Sequence, residues 1–362
     1  MADARDVRFV AFHLPQFHPI PENDEWWGPG FTEWRNVVRA RPRFPGHAQP
    51  DLPADLGFYD LRLPSALEAQ AELARAGGID GFCYYHYWFN GRRVLERPVS
   101  TMLSSGRPDF PFMLCWANEN WTRAWDGKET DVLLAQHYSA DDDVAHMTAL
   151  IPYFRDPRYI RIDGRPVFLV YRTRSLPDPA ATAARWRDVA AHHGLPGLFL
   201  CTVESAGWEV GDARPLGFDA AVDFQPRFDL LGPRQGVGRR DLLAARLRRT
   251  RRGKVDNAVF HYGDLVANSL AREEPAYPCF PGVTPGWDNS PRRQSGARIL
   301  TGSTPELYER WLGGRLARYE PPAGEANLFF VNAWNEWAEG NHLEPGQQWG
   351  PAHLAVHRRL RA

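Results

Sequence analysis

The stretch Asn327-Leu328-Phe329-Phe330-Val331-Asn332 runs without a break into Ala333-Trp334-Asn335-Glu336-Trp337-Ala338-Glu339-Gly340. A brief apolar run of this kind is a strand buried on both faces. The polar, aromatic residues at its end stand where a barrel of parallel strands places its chemistry. The pattern recurs upstream, with apolar runs at 8–12, 79–85, 111–116, 166–171, 197–203, 218–224 and 278–283. Helix-length segments between them include 64–76, 141–154, 178–193 and 304–319. Pro278 and Pro281 weaken the seventh run, because proline cannot donate to a ladder. Eight such units predict an α/β fold, a (β/α)8 TIM barrel: one domain over 1–362 with enlarged βα loops and an insertion at about 226–277 that carries its own helix. No GxGxxG follows an early strand and no GxxxxGK[ST] occurs, which removes support for the nucleotide-binding α/β folds.

Composition bounds the function. Lys and Arg number 43 against 44 Asp and Glu, which argues against a nucleic-acid partner. A local basic stretch, Arg234 to Lys254, reads first as a solvated helix and loop; the alternative is contact with an anionic glycan, a lipid-linked pyrophosphate or a membrane surface. Fourteen Trp, 12 Tyr and 20 Phe stand out, many beside polar residues. Indole faces pack well on the C–H faces of sugar rings, so an oligosaccharide or polysaccharide substrate is expected. The four cysteines lie in apolar runs without metal spacing and read as buried thiols in a reducing compartment. The polar N-terminus shows no signal peptide, and no apolar run approaches the ~20 residues of a membrane span, so a cytoplasmic location is expected. Oligomeric state is not legible.

Functional residue types gather at the ends of the runs. His13 and Gln16 follow the first, then Trp26, Trp27, Glu33 and Trp34. The second ends in Tyr85, His86 and Trp88, and the third in Trp116, Asn118, Glu119 and Trp121. Glu204 follows the fifth, Trp287 and Asp288 the seventh, and Asn335, Trp337, His342 and Glu344 the last. These residues are taken as substrate-binding. His13 and His86 read equally well as hydrogen-bonded interior histidines. Glu336 and Glu339 are the expected catalytic pair. Glycosidic cleavage needs a proton donor at the leaving oxygen and a second group at the nucleophile, and a helical turn puts residues three apart on one side. Their closeness would push their pKa values apart. His13, His86, His342, Glu119 and Asp288 lack any metal-ligand spacing, so no metal and no cofactor are expected.

Ala11-Phe12-His13-Leu14-Pro15-Gln16-Phe17-His18-Pro19-Ile20-Pro21-Glu22-Asn23-Asp24, with Trp26-Trp27-Gly28 and Gly30-Phe31-Thr32-Glu33-Trp34, resembles the WbsX-type proteins. So do Gly81-Phe82-Cys83-Tyr84-Tyr85-His86-Tyr87-Trp88, Trp116-Ala117-Asn118-Glu119-Asn120-Trp121 and Asn335-Glu336-Trp337-Ala338-Glu339-Gly340. The resemblance covers almost the whole chain. Proteins of this type accompany O-antigen and polysaccharide genes, have been labelled glycosyltransferases, and are similar to glycoside hydrolase family 99. That similarity implies that Glu336 takes the proton from a sugar 2-hydroxyl, which attacks the anomeric carbon and gives a 1,2-anhydro sugar. Glu339 would protonate the leaving group and then activate water, with retention. The chemistry requires a 2-hydroxyl trans to the leaving group, as in α-mannosides and α-rhamnosides. Ala338 departs from the His usual in family 99, which bears on substrate more than on mechanism. The competing readings are a glycosyltransferase, or transfer to a sugar acceptor, and a non-catalytic glycan-binding barrel. Asp141-Asp142-Asp143 opens a helix and reads as cap and dipole charge rather than as a nucleotide-sugar site.

Overall fold

The structure is a computed structural model and describes residues 7–123, 128–236, 256–321 and 325–361. Its centre is a ring of parallel strands: β1 (Arg8–His13), β2 (Gly81–Phe89), β3 (Phe112–Trp116), β4 (Arg165–Val170), β5 (Phe199–Glu204), β6 (Ala220–Asp223), β7 (Cys279–Phe280 and Gly282–Val283) and β8 (Leu328–Val331). Pro281 divides the seventh strand, so nine parallel segments occupy eight positions. The first half pairs with β6 (Ala221↔Cys279), the second with β8 (Val283↔Val331), and β8 pairs with β1, which closes the barrel. The two prolines that weakened this run act only as acceptors: Pro278 O receives Ala221 N–H and Pro281 O receives Phe330 N–H, both at 2.9 Å.

Helices α1 (Pro64–Ala76), α2 (Arg97–Ser105), α3 (Ala140–Arg155), α4 (Pro179–His192), α5 (Tyr262–Ala271), α6 (Pro305–Leu316) and α7 (Ala352–Arg361) lie between and after the strands. A short 3-10 turn, Arg214–Leu216, replaces the helix after β5. Several helices begin as their sequences dictate. The side chains of Asp178 and Thr304 accept from Ala181 N and Leu307 N, each followed by proline at the first helical position. At α3 the capping side chain is Ser139, and Asp141, Asp142 and Asp143 fill the first turn. Asp142 accepts from Trp88 Nε1, and Asp143 binds Thr182 and Arg185. Asp142 is thus held against β2 and Asp143 against α4.

Side chains alternate along each strand between the barrel interior and the helices. Inside, Phe12 meets Tyr85, Phe224 and Phe330 at centroid distances of 5.7, 5.1 and 5.5 Å, and Tyr171 meets Tyr85 and Phe224. These rings form an aromatic plug beneath the open end of the barrel. Within the expected insertion, Ala258–His261 pairs in parallel with Arg298–Thr301 from the β7 loop, and α5 follows. In the basic stretch, Arg234 donates to Asn257 O; residues 237–254 lie outside the described residues. Among the described residues no helix is long and apolar enough to cross a membrane.

Gly282 lies where a Cβ would run into the backbone oxygen of Asp223 on β6. That contact is backbone and cannot rotate away. Gly282→Ala is expected to destabilise the fold by about 2–3 kcal/mol, as overpacking does in tight cores. Thermal or urea unfolding checks this, and an unchanged midpoint would contradict the described closure.

Candidate active site

The open end of the barrel holds a cleft of about 970 Å³. At its floor the loop after β8 folds into a tight hairpin, in which Asn335–Glu336 pairs antiparallel with Asn341–His342 around a 3-10 turn, Trp337–Glu339. Gly340 closes the turn at φ 56°, and a Cβ there would press on Asp288 at 3.0 Å. Residues three apart eclipse one another in a 3-10 turn, and Glu336 and Glu339 accordingly face the same partner.

That partner is Arg292, in the short turn Ser290–Arg292 after β7. Its guanidinium uses all three nitrogens: Nε to Glu33 Oε2 at 3.0 Å, Nη2 to Glu336 Oε2 at 2.8 Å and Nη1 to Glu339 Oε1 at 2.8 Å. The glutamate side chains are 0, 8 and 19% exposed respectively. Glu33 is therefore sealed behind the arginine, while Glu339 reaches furthest into the cleft. Burial raises all three carboxyl pKa values, and the arginine opposes the rise. Glu339 is pushed up to about 7, with the charge of Glu336 adding to the effect of burial.

The hairpin rests on a polar lattice. Asn335 accepts from Leu14 N (2.7 Å) and donates to Leu14 O (3.0 Å), which ties the hairpin to β1. Glu344 accepts from Gln70 Nε2, Trp337 Nε1 and Tyr59 OH at 2.6, 2.6 and 2.8 Å. Burial lifts its pKa to about 7 as well. His342 stacks on Trp337 at 3.5 Å and bonds to Asp51 and Glu344 O. On the other side Arg43, from the first loop, donates to Asn257 Oδ1 and to the carbonyls of Ser290 and Arg293, and so pins the turn that carries Arg292.

Of the residues expected from sequence, Gln16, Trp26, Trp27, Tyr85, Asn118, Glu119, Trp121, Trp287, Glu336 and Glu339 line the cleft. Trp26 and Trp121 meet edge-on at 5.7 Å on one wall. Glu119 pairs with Arg172, which stacks on Tyr171 and Trp208 at 4.0 and 4.6 Å.

The others are not brought to the cleft. On β2, Tyr85 and Tyr87 line it, so strand alternation turns His86 and Trp88 outward. His86 bonds to His146 of α3 at 3.0 Å, Trp88 donates to Asp142, and Trp116 donates to Trp88 O. Burial depresses the His86 pKa to about 3. His13 likewise faces α1, bonded to Gln70, with its pKa pushed down by burial to about 4. Trp34 packs on Phe17 and donates to Tyr59 O. Glu204 accepts from Val210 N, Gly211 N and Tyr277 OH and holds its own loop. Asn335 and Trp337 are buried within the hairpin itself, and Glu33 is buried behind Arg292. Asp288, His342 and Glu344 border a separate cavity of about 230 Å³ behind it, and Asp288 is taken up by His47 and Gln49. Among the described residues no group of three or more His, Cys, Asp or Glu could hold a metal ion.

Sequence reasoning missed Arg292, Tyr87, Tyr171, Arg172, Phe224 and Phe228, which also line the cleft. The signal for Arg292 was chemical. Two glutamates expected in one buried loop require a cation, and Arg292-Arg293 lies in the loop after the seventh run.

Two solved structures share this architecture. A glycoside hydrolase-like protein aligns over 99% of this chain and 95% of its own, with TM-score 0.60 and 14% identity. The family 99 endo-α-mannosidase of Bacteroides thetaiotaomicron aligns over 100% of this chain and 99% of its own, with TM-score 0.56 and 13% identity. At those identities the likeness establishes the fold: a TIM barrel of the kind used by family 99 enzymes. Residues 9–357 match the family described as Glycosyltransferase WbsX, and the chain belongs to it. The WxcX proteins of two Xanthomonas campestris pv. campestris strains are 46% identical over 350 residues, or 96% of this chain. The chain spans about half the length of these curated relatives, 49%.

The raised carboxyl pKa carries a stability cost of known sign. Unfolded, Glu339 loses its proton near 4.5; folded, it keeps it to about 7. The cost of ionising it in the fold is absent below the lower value and complete above the upper. Glu339→Gln removes it, so at pH 8 the variant is expected to be about 3 kcal/mol more stable than wild type. The gap should narrow toward pH 5. Chemical denaturation at both pH values checks this, and a variant less stable than wild type at pH 8 would refute it.

Proposed function

We propose that this chain is a retaining glycoside hydrolase acting on a bacterial polysaccharide with α-mannoside- or α-rhamnoside-type linkages. The observation that carries the reading is the Glu336–Glu339 pair on one guanidinium, at the floor of an aromatic-lined cleft. Most of the buried apolar residues form one continuous core around the barrel, with a small second cluster of Phe44, Val259, Ala297 and Ile299 beside it, and we read the described residues as one catalytic unit.

The two carboxyls have the unlike environments that acid and base duties need. Glu339, the more exposed, keeps its proton to about pH 7 and is the acid that protonates the leaving oxygen. Glu336 is held by Arg292 Nη2 and opposed by the buried charge of Glu33; it draws the proton from the substrate 2-hydroxyl. The 2-oxygen then closes on the anomeric carbon as the glycosidic bond breaks. Glu339, now ionised, deprotonates the water that opens the anhydro ring, and Glu336 returns its proton to the 2-oxygen. The 3-10 turn suits this route, since no carboxylate needs to reach the anomeric carbon and form an ester. Stacking walls of Trp26, Trp121 and Trp287 support several sugar subsites and endo action.

A sugar hydroxyl can replace water in the second step, which would make the chain a transglycosylase. The family description, glycosyltransferase, favours keeping this reading.

The test is reducing-end release from a panel of α-mannans, rhamnans and O-antigen polysaccharides, with products resolved by size. Wild type is expected to cut one of them, and Glu336→Gln and Glu339→Gln to lose about 10²-fold or more. Products longer than the substrate would assign transfer. An active Glu336→Gln variant would sink the mechanism. The rate is also expected to fall as pH rises through about 7, where Glu339 gives up its acidic proton. A flat profile from pH 6 to 9 would remove Glu339 from the role of acid.

A further inference from the structure

At the β7 side of the cleft the lining changes character. Arg298, Phe228, Trp287 and Asn289 meet there. The Arg298 guanidinium lies over the Phe228 ring at 4.3 Å, and Phe228 packs edge-on against Trp287 at 5.5 Å. The other cleft arginines with described ion pairs are committed: Arg292 to three glutamates, and Arg172 to Glu119. Arg298 is exposed, and among the described residues no carboxylate pairs with it. A guanidinium laid flat on an aromatic ring keeps its N–H edge available for a planar anion.

Its backbone is fixed. Arg298 N donates to Asn289 Oδ1 at 2.9 Å, and Asn289 N donates back to Arg298 O. Asn289 immediately precedes the turn that carries Arg292. Arg298 also begins the strand Arg298–Thr301, in register with Ala258 of the insertion. The same scaffold therefore sets both the arginine that holds the glutamates and the arginine that faces the cleft.

We propose that this end of the cleft is a subsite for a sugar bearing an anionic substituent, read by Arg298 with Phe228 and Trp287 as its platform. The inference rests on the glycan-cleaving reading above and narrows its substrate class. The shared chemistry is a tetrahedral or planar oxyanion on a sugar ring: a uronic acid carboxylate or a phosphate ester.

Calorimetric titration of the Glu336→Gln protein with three α-linked mannose-type trisaccharides tests it: one neutral, one carrying a uronate and one carrying a phosphomonoester. At least one anionic ligand is expected to bind about tenfold or more tightly than the neutral one, the scale of a charge-assisted contact. The preference should shrink as salt is raised. Adding Arg298→Gln should abolish it, bringing the anionic ligands to the affinity of the neutral one. Arg298→Lys should keep part of it, more for phosphate than for carboxylate. Preference for the uronate or for the phosphate says which source the subsite serves. Equal binding of all three, or a preference that survives Arg298→Gln, overturns the anionic subsite and leaves the glycan cleft intact. Binding of none overturns both.

Discussion

One guanidinium shared among three glutamates, two of them buried and one partly open to the cleft, governs this molecule. Arg292 cannot be deprotonated, and its three nitrogens are each taken by a different carboxylate. Remove it and three acids face one another at the floor of the cleft. Everything around the trio serves to hold it. Arg43 pins the turn that delivers the arginine, and Asn335 locks the hairpin to Leu14. Gln70, Tyr59 and Trp337 converge on Glu344 below. The first loop, the seventh and the eighth meet at this point, so the barrel mouth is organised by electrostatics as much as by packing.

Most of the fold was legible in the chain because parallel strands must be apolar on both faces and must be spaced by helices. The eight runs all became strands, and 64–76, 141–154, 178–193 and 304–319 all contain helix. Four helices went unread: the short Pro21–Trp27 and Trp34–Arg39 in the first loop, and two longer ones for local reasons. Arg97–Ser105 opens on Arg-Pro and contains Ser100, Thr101 and Ser104, which favour turns. Ala352–Arg361 carries His, Arg and Leu in a span too short for a clear period.

The candidate site was legible by segment more than by side chain. Most segments singled out at strand ends reach the mouth, with Glu204 after β5 the exception, yet only alternate residues of a strand can face it. In Tyr84-Tyr85-His86-Tyr87-Trp88 the eye is drawn to His86 and Trp88, but the phase of the strand gives the cleft to Tyr85 and Tyr87. Fixing that phase needs to know which apolar neighbours fill the barrel, and here Phe12 and Phe224 do so from distant strands. His86 and His146 instead pack between sheet and helix as neutral imidazoles. Arg292 was hidden for another reason: it belongs to a turn with no motif of its own, and its importance comes from partners up to 259 residues away in sequence.

The divided seventh strand has a consequence for how the barrel holds together. Strands β2 and β3 share five residue pairs in register, whereas β7 contributes two pairs to β6 and two to β8, on opposite sides of Pro281. The barrel is in effect a long, well-laced arc clipped shut by a short staple. Any breathing of the wall is cheapest at that seam, and amide exchange would report it there first. The seam is also flanked by the loops that bring Phe228, Arg292 and Arg298 to the mouth. The rigid arc can thus stay constant while the stapled side is rebuilt, which leaves one half of the wall for holding shape and the other for choosing what is held.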